Sequence, residues 1–453
     1  MESQAGILAH PGLQPTAYND AVRWGVFLLF GVGLLLATSA ARAQRGGMFL
    51  GSLEDPAISY TKGPLANAVT NLNQKLADGS IQLTFEGRSG YLQSALAALQ
   101  IPIDSQVLVF SPNSLQARRI NQSNPRALFF NDRVALGWVR DGDVIEVAAH
   151  DDTQGTVFYT LEQKAPAAGA DQPQFKRGFI CLGCHVAGDT LGVPGLLMFS
   201  ALAPPDASGF GRFVTMDHRT PVDQRWGGWL VTGNTGSAAH RGNEVTALDP
   251  SRRRELRSVE GLFDLDGYRT ASSDVAALLV LSHQTHMMNL LTRVGWEARA
   301  ADPTRHPPFT SSPEQDARIA QMMRGIATEV VDYLLFVDEA PLPEPVQGSS
   351  AFGERFSAVG PRDKAGRSLH ELDLRQRLLK YRCSYLIYSP AFDALPAAAK
   401  GPLYQRMWDV LSGAERGERY RSALSRADRQ AIVEILRDTK PGLPAYFNGA
   451  ILQ

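Results

Sequence analysis

The alternation of apolar and polar residues changes character twice along this chain. Between residues 104 and 163, apolar residues fall in short runs at 107–110, 127–130, 134–139, 144–148 and 156–161, with turn residues between them. This spacing predicts a β-rich unit, and Asp141-Gly142, set between two β-branched runs, predicts a hairpin. Residues 164–174, KAPAAGADQPQ, read as a linker. From about 175 to 243 the regular period is lost, and Gly and Pro are frequent. From 272 onward the period lengthens to that of helices. Ser272-Ser273-Asp274 offers N-caps for a helix reaching about Arg299. Ser312-Pro313-Glu314-Gln315 predicts a capping box with Pro at the first helical position. The stripe that follows, Ile319, Met322, Met323, Ile326, Val330, Leu334 and Val337, reads as core. A second linker covers 341–350, and Ser368-x-x-Glu371 and Ser425-x-x-Asp428 predict two further helix starts. No internal repeat is evident. The expected fold class is α+β, with a β-rich N-terminal domain (44–163), a loop-rich segment (175–245) and a mainly α-helical region (270–453).

The loop-rich segment holds the most specific chemistry. Cys181-Leu182-Gly183-Cys184-His185 is C-x-x-C-H, the attachment signal of a c-type haem. Two thiols add to the porphyrin vinyl groups as thioethers, and the adjacent imidazole reaches the iron from one face. Zinc sites and thioredoxin-like dithiols also use C-x-x-C. A structural zinc site needs a second ligand pair, whereas the chain has three cysteines in all, leaving only Cys383. A thioredoxin-like motif belongs in a βαβ pattern and gives His185 no role. Cys383, in LLKYRCSYL, is expected as a packed thiol at a buried helix end.

The N-terminus agrees with this reading. Residues 24–41, WGVFLLFGVGLLLATSAA, lie between Arg23 and Arg42, and Ala41-Arg42-Ala43 forms a small-x-small site. Residues 1–43 therefore read as a secretory signal peptide, with an uncleaved membrane anchor as the alternative. Either reading places the rest of the 453-residue chain outside the cytoplasm, where c-type haem is attached. With 45 basic and 46 acidic residues, the net charge of −1 gives no reason to expect nucleic acid or an anionic surface as partner.

A haem at His185 gives roles to its neighbours. Pro194, nine residues on, is placed for its carbonyl to accept the Nδ1–H of the proximal imidazole, and a plain turn proline is the alternative. This segment resembles small class I cytochromes c locally in that respect. His240, in a flexible Gly- and Ser-rich loop, is the first choice for the sixth iron ligand, with Met216 and His218 as alternatives and Met198, His283 and His286 also in view. Trp226 and Trp229, in RWGGW, together with Arg225, are candidates to hydrogen-bond haem propionates.

Several stretches together, FFNDRVALGWV, GTVFYTL, CLGCH, GVPG and RWGGWLVTG, resemble a group of bacterial exported proteins that each carry a cytochrome c domain. The resemblance implies one covalent haem c and electron transfer with other periplasmic redox proteins, and it points to no particular substrate. The expectation is thus an exported monohaem cytochrome. An enzyme reading remains beside it, a peroxidase or oxidase type using His283, His286 and Arg293 in the helical region, as does a haem-bearing docking subunit.

Overall fold

The five apolar runs are strands of one antiparallel sheet: β1 (Val107–Val109), β2 (Arg126–Phe130), β3 (Val134–Trp138), β4 (Val144–Asp151) and β5 (Gly155–Glu162). The chain is described from a computed structural model covering residues 47–167, 169, 171–202, 212–245, 255–302 and 312–452. The signal segment 1–43 lies outside the described residues. Two short strands of the loop-rich segment, β6 (Lys176–Arg177) and β9 (Trp229–Leu230), complete the sheet in the order β6-β5-β4-β3-β2-β1-β9. β7 (Phe199–Leu202) and β8 (Arg212–Thr215) pair separately. Asp141, at φ 57, turns β3 into β4 as the hairpin signal predicted, and Gly142 N–H closes that turn on Val139 O at 2.9 Å.

Strand alternation divides the sheet into two unlike faces. Ala127, Phe129, Leu136, Ile145, Val147, Val157 and Tyr159 bury one face in a core shared with the helices α1 (Ala68–Ala77) and α2 (Leu92–Ala98). Arg126, Leu128, Ala135, Gly137, Glu146, Ala148, Phe158 and Thr160 occupy the intervening positions and so the opposite face. After the one-turn helix α3 (Leu182–His185), the long helix α4 (Val275–Ala300) crosses that second face at the turn end of its strands. Gln284 donates to Asn131 O at 2.7 Å, Thr292 packs on Gly155, and Trp296 Nε1 donates to Thr153 O at 3.2 Å. The other end of this face, around Arg126, Gly137 and Glu146, carries none of these helix contacts.

Asp274 caps α4 as predicted, accepting from the N–H groups of Ala276 and Ala277. The remaining helices are α5 (Pro313–Leu334), α6 (Phe352–Val359), α7 (Pro390–Asp393), α8 (Ala397–Ser412), α9 (Glu418–Ala423) and α10 (Arg426–Thr439). Ser312 caps α5 and Ser425 with Asp428 forms the capping box of α10. Met323, Ile326, Val330 and Leu334 of the predicted stripe are buried, while Met322 is exposed. Ser368-x-x-Glu371 does not open a helix. Glu371 accepts from Ser368 N–H but also pairs with Lys380, while Asp373 takes the N–H groups of Arg375 and Gln376. These local side-chain bonds turn the chain back on itself, with Leu372 bridging Leu379. Cys383 follows that turn rather than ending a helix, and its thiol is fully buried. Residues Met48–Gln453 form one compact unit, so the β-rich, loop-rich and helical segments share cores. No helix among the described residues is long and apolar enough to cross a membrane.

Candidate haem site

Edge strand β6 delivers the C-x-x-C-H motif to the second face of the sheet. Thr160 and Tyr159 pair with Lys176 and Arg177, and Gly178 N–H donates to Phe158 O at 2.8 Å. The chain then makes one helical turn, with His185 N–H bonded to Cys181 O at 3.0 Å. Cys181 and His185, four residues apart, thus share a side of that turn. Cys181 is half-buried, Cys184 is exposed, and both are free thiols.

The imidazole of His185 is fixed on both sides. Its ring packs on Phe158 at 4.7 Å between centroids, tilted by 42°. Nδ1 lies 2.8 Å from Gly195 O, and since a carbonyl only accepts, Nδ1 carries the proton. Gly195 N–H returns a bond to His185 O at 3.0 Å. Partial burial lowers the imidazole pKa, so the neutral tautomer with a bare Nε2 is favoured. No hydrogen bond to Nε2 comes from the described residues. The acceptor is therefore Gly195, one residue beyond the expected Pro194. Gly195 itself is held by Asn289 of α4, whose Oδ1 accepts Leu196 N–H (3.2 Å) and whose Nδ2 donates to Leu196 O (2.8 Å). A Cβ at Gly195 would lie 2.2 Å from Asn289 Oδ1, so this approach needs glycine.

Beside the motif, the uncovered end of the sheet carries an ion pair between Arg126 and Glu146. Their side chains are only 18% and 14% exposed, yet Arg126 Nε and Glu146 Oε1 are buried without a hydrogen-bond partner. The Arg126 guanidinium lies over Gly137, where a Cβ would be 2.3 Å from Nη2. Both charges act on the motif: burial and then Glu146 raise the Cys181 thiol pKa, and Arg126 works against them. Toward α4 the same face carries a small recess of about 30 Å³, open to solvent and lined among others by Ala135, Ala148, His150, Leu196 and Met288. Leu128, Ala135 and Met288 are half-buried apolar groups here.

These features fit a c-type haem. The motif supplies two reachable thiols and an oriented imidazole with an open Nε2, and beside it lie a half-exposed apolar floor and one buried donor without a protein partner, Arg126 Nε, of the kind a carboxylate takes. Among the described residues no group of three or more His, Cys, Asp or Glu comes together as a metal site.

The other predicted site residues lie elsewhere. Trp229, on β9, donates Nε1 to Phe199 O at 2.7 Å, and Arg225 donates to Thr220 O and His218 O. Trp226 is fully buried with φ 68, its own N–H faces Met216 Sδ at 3.3 Å, and its Nε1 has no partner. β9 stands five strands from β5, roughly 24 Å at ordinary strand spacing. His240 accepts from Gly242 N–H at 3.0 Å and lies edge-on to Trp226 at 5.4 Å. His218 and His283 are buried together, Nδ1 to Nδ1 at 2.7 Å, and His283 Nε2 meets Ser384 Oγ at 2.7 Å. His286 accepts from Arg219 at 3.2 Å, and Arg293 pairs with Glu329 at 2.7 Å. Met198 is buried, with its carbonyl accepting from Met216 N–H. Sequence reasoning missed Phe158, Gly195, Asn289, Arg126, Glu146 and Met288. Only Arg126 and Glu146 left a signal, as charges inside otherwise apolar strands.

Comparison with protein-family models, with curated proteins and with solved structures finds no match.

Proposed function

We propose that this chain is an exported monohaem c-type cytochrome that carries electrons between other exported redox proteins. The observation that carries the reading is His185: within C-x-x-C-H, its Nδ1 is committed to a backbone carbonyl and its Nε2 is left bare. That is the arrangement an axial imidazole requires, because the Nδ1 bond fixes the ring and raises its basicity. Cys181 and Cys184 tether the cofactor, and Arg126 offers an unpaired Nε to a carboxylate of the ligand. When bound, the haem supplies a one-electron couple whose potential follows its axial ligands and surroundings. The chain's own work is to hold the imidazole against Phe158, to shield one side with the sheet, and to leave the Cys184 edge open. Phe179 and Ile180, 46% and 75% exposed, give that edge an apolar surface for a partner. Residues 1–43 direct export, with mature protein beginning near Gln44.

The test is covalent haem on a denaturing gel after expression with a c-type maturation system. Wild type is expected to stain, Cys181→Ser and Cys184→Ser to stain weakly, and the double variant not at all. A double variant that stains like wild type, or a wild type that never acquires haem in its native host, defeats the proposal.

A further inference from the structure

We infer that Asn289 of α4 is a positioning residue that tunes the imidazole of His185 electronically, through one polarised peptide. The inference rests on the haem reading above and adds to it what sets the strength of the Nδ1 bond. The peptide joining Gly195 to Leu196 is a single planar unit with two ends. Its carbonyl, Gly195 O, faces His185 Nδ1 at 2.8 Å. Its N–H, on Leu196, donates to Asn289 Oδ1 at 3.2 Å. The two bonds therefore form one chain, from the Asn289 amide oxygen through the peptide to the ring of His185. A peptide whose N–H is bonded carries more negative charge on its carbonyl, so each bond of such a chain strengthens the next. The Nδ1 proton is drawn toward that oxygen, which leaves more electron density on the ring and makes Nε2 the stronger donor.

The geometry fixes the direction of this chain. Asn289 Nδ2 donates to Leu196 O at 2.8 Å. A flipped amide would set Nδ2 against an N–H and Oδ1 against a carbonyl, so the oxygen stays on the peptide N–H. Asn289 is 2% exposed, and Met287, Leu290 and Leu291 beside it on α4 are buried, so little water weakens the bonds. Asparagine is a weak helix former, and an amide buried within a 26-residue helix costs free energy unless it is bonded. Among the described residues the side-chain bonds of Asn289 go to Leu196 alone. The loop end is held as closely. Gly195 N–H returns to His185 O at 3.0 Å, and a Cβ on Gly195 would lie 2.2 Å from Asn289 Oδ1. Helix α4 thus reaches the imidazole on its Nδ1 side, through the one peptide that the ring itself bonds.

The experiment measures the reduction potential of purified holoprotein by optical redox titration, in wild type, Asn289→Leu and Asn289→Asp. The first variant removes the acceptor of the Leu196 N–H. The Gly195 carbonyl then pulls less on the Nδ1 proton, the imidazole stabilises ferric iron less, and the potential is expected to rise. The second keeps an oxygen on that N–H and adds negative charge. At about pH 8, where the introduced carboxyl is ionised, its potential is expected to fall below wild type. Each shift is expected to be about twofold to tenfold in the ferric-to-ferrous ratio at fixed poise, tenfold being about 59 mV for one electron. A clamp that only holds the loop is loosened in both variants and moves both potentials the same way. Amide exchange of Leu196, followed by NMR in the haem-free Cys181→Ser/Cys184→Ser variant, tests the bond itself with position 289 unchanged. It is expected to be at least about tenfold slower than in a free peptide. Exchange at the free-peptide rate, two potentials shifted in the same direction, or an Asn289→Leu potential within about twofold of wild type overturns the assignment and leaves the cytochrome reading intact. A wild type without covalent haem overturns both.

Discussion

Replacing Asn289 by Leu removes a two-pronged clamp while keeping the number and branching of the side-chain heavy atoms. Asn289 is 2% exposed and holds both main-chain groups of Leu196, accepting from N–H at 3.2 Å and donating to the carbonyl at 2.8 Å. The variant strands one backbone donor and one backbone acceptor, and each costs about 1–3 kcal/mol when no partner replaces the lost one. The sum is roughly 2–6 kcal/mol. Leu196 borders a recess open to solvent, so water can repay part of that loss. The expected destabilisation is therefore in the lower half of the range, about 2–3 kcal/mol. Urea unfolding followed by tryptophan fluorescence measures it, as a lowered midpoint at unchanged slope. Gly195→Ala is expected to give a loss of similar size from the other side, because its Cβ would lie 2.2 Å from Asn289 Oδ1. A loss below about 0.5 kcal/mol in Asn289→Leu, the size of a neutral surface change, would refute the clamp and the coupling of α4 to the motif loop.

Three further outcomes follow from the same structure. Gly137→Val is expected to push Arg126 off the sheet and lower haem loading per folded protein, since its Cβ would sit 2.3 Å from Nη2; unchanged loading would remove Arg126 from the site. Thiol titration of holoprotein is expected to find no reactive thiol when native and one after denaturation, because Cys383 is fully buried and its thiol pKa is raised by burial; three thiols after denaturation would mean no thioethers. Stability is expected to decline as pH falls below about 6.5, the ordinary imidazole value. Burial pushes His283 down to about 3 and holds His218 well below its usual value, so the unfolded chain binds more protons in that window, and the stability present above it is lost toward pH 3. Urea midpoints that stay flat between pH 6.5 and 4 would contradict this.

Much of the scaffold is decided within short windows of the chain. Alternation at 127–161 dictates strands because a residue's neighbours two positions away share its face, and Asp274, Ser312 and Ser425 mark helix starts because their oxygens meet N–H groups within three residues. C-x-x-C-H is likewise local: one helical turn is enough to bring Cys181, Cys184 and His185 together. What surrounds His185 is not local. Phe158 arrives from β5, Gly195 from a loop closed by reciprocal bonds, Asn289 from a helix about a hundred residues downstream, and Arg126 from β2. Reading distance along the sequence pointed to Pro194, His240 and the tryptophans of RWGGW, whereas chain folding carried β9 to the far edge of the sheet from β5. The Ser368 turn failed for a related reason: Glu371 had Lys380 as a second partner, and that choice depends on how the chain returns. Helical geometry sets the motif itself within five residues, while the surroundings of its imidazole are assembled by packing between a sheet, a loop and a helix, which periodicity does not encode.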